Sequence, residues 1–591
     1  MRGATIFFPT RQRLTRGVLV FAVGMPASCT GAFAQSASQI TPPVDRPPLE
    51  RPPTKAPPSI RLDDRASDTP AEAESFSATL STITLAGTGA DIPVPSRAWA
   101  RLRTVVIGKK VSVATIFAEA RALERGYAEA GRILVRVTVP EQRLTDGGAL
   151  TLNIVDGYIG DLDLSAVPPR IAGRIRSLLT ALVGKRGVTL GDIERKLLIA
   201  ADLPGVQLQS TLREGAVPEA TTLIITASSR AVTESLSIDN TLSDPLGRYA
   251  VSLGLNLNAW LGLGEQIYLR INALPNLDKG FSVLDPTPRN RALTAGIIVP
   301  IGPDGLTVNI EATSARAAPR PTALDIGFAS AFERIAWRLR YPVVRRRSLT
   351  LAAQIGFDVQ EERIRLLPPI DQPVSIDSLR IVRLTGDIDA ALPGNGRVFA
   401  SLSASLGIDA LGARSASDAT GGVPLSRQGA DAAFQSVSIT AGVQQPLANF
   451  LALNFRTQAQ SGFGQALVNA EQIGLAGPNA LSAFAVGTLQ GDDGYMIRGE
   501  AQFPLARGGL ARLGVLAPYV FGAQGAVRLQ QPTVLERRQT SAHAFGAGAR
   551  LVITRRQSLS NLTINFEYAT GQRESVPGRT DRVTFAVQAQ F

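Results

Sequence analysis

Cysteine and histidine are almost absent. Each occurs once in 591 residues, as Cys29 and His543. One Cys allows no internal disulfide and no thiolate cluster. One His cannot build an imidazole zinc site, and a Ser/His/Asp triad would have to use His543 itself. That residue sits in Ser541-Ala-His-Ala-Phe545, which reads as an ordinary strand. Metal-dependent and hydrolytic chemistry are therefore poor readings, and neither enzyme activity nor a cofactor is expected. Lysine is scarce as well: of 61 basic residues only Lys55, Lys109, Lys110, Lys185, Lys196 and Lys279 are not Arg. Aromatics are 6% and the arginines are scattered, so the net charge of +12 does not form the patches of a nucleic-acid binder. No stretch reaches 18 uninterrupted apolar residues. No transmembrane helix is expected, and any membrane residence must come from strands.

The N-terminus has an export pattern. Arg2, Arg11, Arg13 and Arg16 precede the short apolar run Gly17–Gly24, and Ala32-Phe-Ala34 offers small residues for cleavage between Ala34 and Gln35. A lipoprotein signal at Ala27-Ser-Cys29 is the alternative, with Pro26 at a position that prefers a branched aliphatic. Pro-Pro then recurs at 42, 47, 52 and 57. Paired prolines fix φ and remove donors, which predicts an extended polyproline II tether or, on a sharper reading, a docking motif. This linker is taken as 35–75.

Two small α/β modules follow, over 76–157 and 158–229. In the first, Ser112 can cap a helix carrying Ile116, Phe117, Ala120, Leu123 and Tyr127 at helical spacing, and Gly131 can close it. Strands at Ile133–Val139 and Leu150–Val155 flank the Asp146-Gly-Gly148 turn. The second module repeats the order β-α-α-β-β. Thr189 and Asp192 resemble a capping box, and Val206–Leu212 and Thr222–Ala227 are its last strands.

From residue 230 strict alternation replaces the helical period. Ile497, Gly499, Ala501 and Phe503 oppose Met496, Arg498, Glu500 and Gln502, and many segments are about ten residues long. Alternation alone does not say which face is outside; the export signal and strand lengths favour a membrane barrel. In the final strand Val583, Phe585, Val587, Ala589 and Phe591 share one face, and the chain stops at Phe591. A terminal aromatic closing such a strand resembles the assembly signal of bacterial outer-membrane barrels, which would rest on Phe585, Val587 and Phe591. Residues 230–591 fit sixteen strands at about 22 residues each.

These features together resemble the two-partner secretion transporters, the TpsB family of ShlB/FhaC/HecB-like haemolysin secretion/activation proteins within the outer-membrane POTRA-barrel superfamily. Arg136–Gln142 with Leu150–Gly157 resembles the end of a first POTRA domain. Asp192–Leu198, Asp202–Gly205 and Ser210–Gly215 resemble a second. Asp239-Asn240, Leu261–Gly264, Tyr341-Pro342, Arg345–Ser348, Gly491–Tyr495 and Phe503-Pro504 resemble successive barrel segments. The resemblance covers about residues 76–591. It implies α+β POTRA modules in the periplasm of a Gram-negative cell and an all-β outer-membrane barrel. The implied partners are a large TpsA-like exoprotein, outer-membrane lipids and, during insertion, the barrel-assembly machinery; no nucleic acid is implied. The modules would bind the unfolded exoprotein by strand addition, here at an edge such as Val206, Leu208, Ser210 and Leu212, and the barrel would secrete it without nucleotide. No Gly-x-x-x-x-Gly-Lys-Ser/Thr phosphate loop occurs.

Two departures follow. The family's sixth loop enters the lumen with a Val-Arg-Gly-Tyr/Phe tetrad whose Arg meets an Asp in a Phe-x-Asp-x-Gly strand. Here the tetrad becomes Leu481, Ser482, Ala483 and Phe484, and the strand reads Phe521, Ala523 and Gly525 at the motif positions. Both charges are gone; losing one would cost about 3–5 kcal/mol, whereas losing both can be near neutral. The tip is then expected to be held by packing of Leu481 and Phe484. Ile497-Arg498-Gly499 looks similar but falls on the strand after the loop. The second departure is the plug: with the proline repeat at 35–75, the sixth loop is expected to fill the lumen alone. A passive channel or scaffold that lost transport, and a barrel-assembly factor, remain the other functional readings.

Overall fold

The computed structural model describes residues 36–41, 60–62, 73–217, 219–274, 285, 287–320, 327–505, 514–554, 561–574 and 576–591. The export signal, the cleavage pair Ala34 and Gln35 and most of the proline repeat lie outside the described residues.

The first module stacks the helices Ser96–Val106 and Val113–Glu129 on a three-stranded sheet ordered Thr82–Ala86, Ala149–Asp156, Val135–Thr138. The Ser112 hydroxyl caps the second helix by accepting from the Thr115 amide at 3.2 Å. Gly131 follows its end at φ +85°, a conformation that disfavours a Cβ. Ile116, Leu123 and Tyr127 are buried against Leu150, Leu152 and Ile154.

The second module has the same element order. Its helices are Pro169–Leu179 and Leu190–Ala201, and its strands are Tyr158–Ala166, Val206–Glu214 and Ala220–Ser229. Thr189 and Asp192 form a full capping box. One element comes from far upstream: Ile60–Leu62 runs parallel to Val206–Glu214, pairing Ile60 with Ser210, Arg61 with Thr211 and Leu62 with Leu212. Val206–Glu214 is therefore the second strand of four, not an edge, over Ser210–Leu212.

The rest is a closed barrel of sixteen antiparallel strands, from Val232–Asp239 to Thr580–Gln590. First and last strands pair over Ser235–Asp239 and Ala586–Gln590. Asn240 extends this seam. Its side chain donates to the Val583 carbonyl at 2.9 Å and accepts from the Phe585 amide at 2.8 Å. The sixth to eighth strands, Phe328–Arg345, Leu349–Leu366 and Pro373–Leu392, are far longer than the roughly 9–11 residues a tilted strand needs to cross a bilayer.

The two faces are resolved by the twelfth strand, Asp493–Gln502. Tyr495 and Ile497 are half exposed on the outside, while Met496, Arg498, Glu500 and Gln502 are buried inside. A water-soluble barrel would reverse this. Apolar side chains outside and charged ones within are the arrangement lipid requires.

The second module sits against barrel turns. Arg345 makes two 2.7 Å bonds to Asp202, Arg347 bonds Glu194 at 2.7 Å, and Lys196 bonds Asp304 at 2.7 Å. The Arg345–Ser348 segment thus docks a helix end as well as turning the chain.

Candidate functional site: the lumen and the loop held in it

Residues 462–492 connect the eleventh strand, Leu451–Ser461, to the twelfth. Instead of standing off the barrel they fold into it. Leu481, Ser482, Ala483 and Phe484 are all buried, and Leu481, Ala483 and Phe484 share one cluster with Met496, Tyr519, Phe521, Ala523, Ala542, Ala544 and Ala569 of the wall. The tetrad positions and the Phe521, Ala523, Gly525 positions therefore meet. Gly477 opens the tip at φ +113°, with Val486 only 2.8 Å from where a Cβ would stand. Two wall glycines make room: a Cβ on Gly571 would lie 2.8 Å from Ala483 Cβ, and one on Gly525 would lie 3.3 Å from Leu475 Cδ1.

Packing is not the only tie, which corrects the expectation of a tip held by packing of Leu481 and Phe484 without charge. Arg498 of the twelfth strand is 1% exposed and points at the tip. Its Nη1 donates to Ser482 Oγ and to the Ala480 carbonyl, both at 3.1 Å. Nε donates to Glu500 at 2.8 Å and Nη2 to Glu567 at 2.7 Å. The guanidinium also lies 3.7 Å from the centre of the Phe521 ring. Arg498 is paired across the ladder with Ala523. The cation thus lies between Ser482 of the loop and Ala523 of the next strand, and it is carried by the wall. Its carboxylates come from the same strand and from the fifteenth, Asn561–Arg573. Sequence reasoning set Arg498 aside because it lay outside the loop; its alternation with Glu500 on the polar face was the signal that could have found it.

The base of the loop is tied to the opposite wall. Glu471 accepts from Arg383 at 2.8 and 3.1 Å and from Gln360 at 2.9 Å. Arg383 in turn shares Asp358 with Arg338, each at 2.7 Å. Asp492, fully buried, accepts from the Leu467 and Gln530 amides and from Gln472, which closes the loop's return.

The loop is not alone in the lumen, a second correction. Ser36–Thr41 is seated there as one helical turn. Ser38 donates its amide and hydroxyl to Glu362 at 3.1 and 2.9 Å, Ala37 donates to Ser330 at 3.0 Å, and Gln39 bonds Gln490 of the loop. Ala37 packs with Leu246, Ala292, Ala315 and Phe332. No long apolar stripe is needed: a few small residues fit a polar wall through hydrogen bonds, so a helical pattern search passes over them.

Residues 220–551 match the model of the haemolysin secretion/activation proteins ShlB/FhaC/HecB, more than half of the chain, and residues 79–157 match the ShlB-type POTRA domain. The chain belongs to this family. Among its relatives is the heme/hemopexin transporter protein HuxB of Haemophilus influenzae strain 86-028NP. It is 24% identical over 167 residues, spanning 28% of this chain and 29% of HuxB. The fold is shared with CdiB from Escherichia coli at TM-score 0.63 and 19% identity, covering 89% of this chain and 92% of CdiB. CdiB from Acinetobacter baumannii gives 0.57 and 14%, over 87% and 90%. BamA from Haemophilus ducreyi lacking POTRA domains 1–3 gives 0.51 and 10%, over 87% and 100%. The barrel and POTRA domain make this haemolysin-secretion family member an outer-membrane protein.

Val206, Leu208, Ser210 and Leu212 are buried, the three apolar ones in the second module's own core. Their side chains are not available to a client, because strand alternation aims them at the helices. Phe585, Val587 and Phe591 lie on the face opposite buried Thr584. The Phe585 ring is 6.1 Å from Tyr249, and Phe591 exchanges backbone bonds with Glu234 across the seam.

Proposed function

We propose that this family member secretes a large unfolded exoprotein through its barrel, after the α/β modules bind it on the periplasmic side. One observation carries the reading: among the described residues, two of the chain's own segments lie inside the barrel, tied to its wall by hydrogen bonds and ion pairs as well as by packing. The hydrogen bonds of Ser36–Thr41 and of the loop tip exchange for water or for a passing chain at modest net cost, about 0.5–3 kcal/mol each, while the buried ion pair at Glu471 keeps the base of the loop in place. The retained grip of Arg498 on the loop tip favours this reading over a passive channel. Folding of the passenger outside would supply the pull, without nucleotide. On this reading the second module, over 158–229, acts as a further POTRA domain, the outward residues meet lipid, and Phe585, Val587 and Phe591 present the strand read by the barrel-assembly machinery.

The test is deletion of the gene followed by proteomics of periplasm and medium. One large protein trapped in the periplasm, released again by the wild-type gene, is expected. An unchanged set of exported proteins would overturn the reading.

A further inference from the structure

The strand that could accept an extended client is already partly occupied by this chain. Ile60–Leu62 lies against Val206–Glu214 over three of its nine residues, while the other side of that strand is paired along its full length with Ala220–Ser229. Over Ser210–Leu212 both ladders are therefore in use. A backbone has one donor and one acceptor per residue, so a second strand cannot join there until Ile60–Leu62 leaves.

Resting on the secretion reading, we propose that Ile60–Leu62 is a tethered occupant of the client edge. It is displaced when an extended, apolar-alternating segment of the exoprotein adds a strand at Ser210–Leu212. Three features suit it to that role. It is short, and the parallel pairing it makes is slightly weaker per residue than antiparallel pairing. Pro57 and Pro58 have no N–H to lengthen the ladder upstream, and Asp63-Asp64 follows it directly. It is also covalently tethered, which sets its local concentration near the millimolar range. A weak segment at high local concentration excludes weak, non-client strands and yields to a longer one. Gln207–Gln209 lie outside its ladder and offer the incoming strand a place to start. The client's apparent affinity is reduced by the fraction of time the edge is free, so emptying the edge raises affinity by the inverse of that fraction.

The test uses the full-length protein in detergent and a fluorescent synthetic peptide spanning residues 57–64. The Cα atoms of Arg61 and Thr211 are register partners in the ladder, and the sequence after Ala34 has no cysteine, so Arg61→Cys/Thr211→Cys reports the pairing cleanly. Mild oxidation should cross-link this variant and abolish peptide binding, and reduction should restore the wild-type level. An Ile60→Gly/Leu62→Gly variant should bind the peptide about tenfold tighter than wild type, the gain expected if the edge is free about a tenth of the time. No cross-link, or equal peptide binding in all three, overturns the proposal. In cells, the cross-linked variant should leave the deletion-trapped protein in the periplasm. Normal export by a fully cross-linked variant would overturn the client role of this edge while leaving secretion intact. Absence of any trapped protein in the deletion strain itself would instead remove the secretion reading, and with it the proposal.

Discussion

The two ends of the sixth loop are held by opposite designs. At the base the loop brings a charge: Glu471 faces Arg383, which sits beside Asp358 and Arg338. At the tip the loop brings only neutral acceptors, Ser482 Oγ and the Ala480 carbonyl, and the wall supplies Arg498, Glu500 and Glu567 itself. If the tip withdraws, Arg498 keeps its two carboxylates. If the base withdraws, the wall loses a carboxylate from a cluster already holding two arginines. The lesson is that where the charges are carried decides which end can move. Desolvated charge left without a partner is the expensive state, and only the base would create it. The tip is the releasable end and the base the pivot.

The largest effect is expected at Arg498. Arg498→Ala leaves Glu500 and Glu567 buried without their cation and should cost about 3–5 kcal/mol. This should appear as a lowered temperature of heat-modifiable gel mobility. Adding Glu500→Gln and Glu567→Gln should return part of that loss. If the triple variant is no better than the single one, the charge argument fails. Glu471→Gln should cost less, about 1.5–3 kcal/mol, because Arg383 retains Asp358. It should also raise pore conductance in planar bilayers more than Ser482→Ala does; the reverse order would show that the tip is the pivot.

A third variant pair gives the tip a charge of its own. Ser482→Arg sets a second guanidinium beside Arg498, and Ala523→Asp adds a carboxylate on the strand opposite it. Each alone should destabilise the barrel. Together they should show coupling of about 0.5–3 kcal/mol in a double-mutant cycle, whereas additive effects would place the two positions out of contact.

The smallest effect lies outside the barrel, where a carboxylate serves only a helix end. Hydrogen bonds from Thr189 hold the Asp192 carboxyl below its ordinary value. A depressed folded pKa contributes stability above the ordinary carboxylate range, near pH 4, and that contribution fades as pH falls through the lower folded value. Asp192→Asn should cost about 1 kcal/mol at neutral pH and little at pH 2. The check is hydrogen exchange of Leu190–Ala201 in the full chain. An equal loss at both pH values would assign the effect to geometry and not to charge.

Local rules carried much of the molecule. The cap at Ser112, the box at Thr189 and Asp192, the glycine stop at Gly131 and the period-two runs of the barrel are each written within a few residues, so they were legible. So was the meeting of Leu481–Phe484 with Phe521–Gly525, because the resemblance aligned both segments. The alternation of Ile497 with Arg498 was also plain, but not its direction. An alternating strand reads the same inside out, and only closure of sixteen strands chose the polar face for the lumen. Three contacts needed the assembled fold. Glu567 lies 69 residues from Arg498, Ser38 lies 324 from Glu362, and Ile60 pairs with Ser210. Each depends on which segments the closed barrel and the second module's sheet bring side by side. The elements, their period and the membrane-barrel class are written in the order of the residues. Tertiary structure alone decided which charge answers which, because a buried ion is satisfied by neighbours in space and carries no mark of them along the chain.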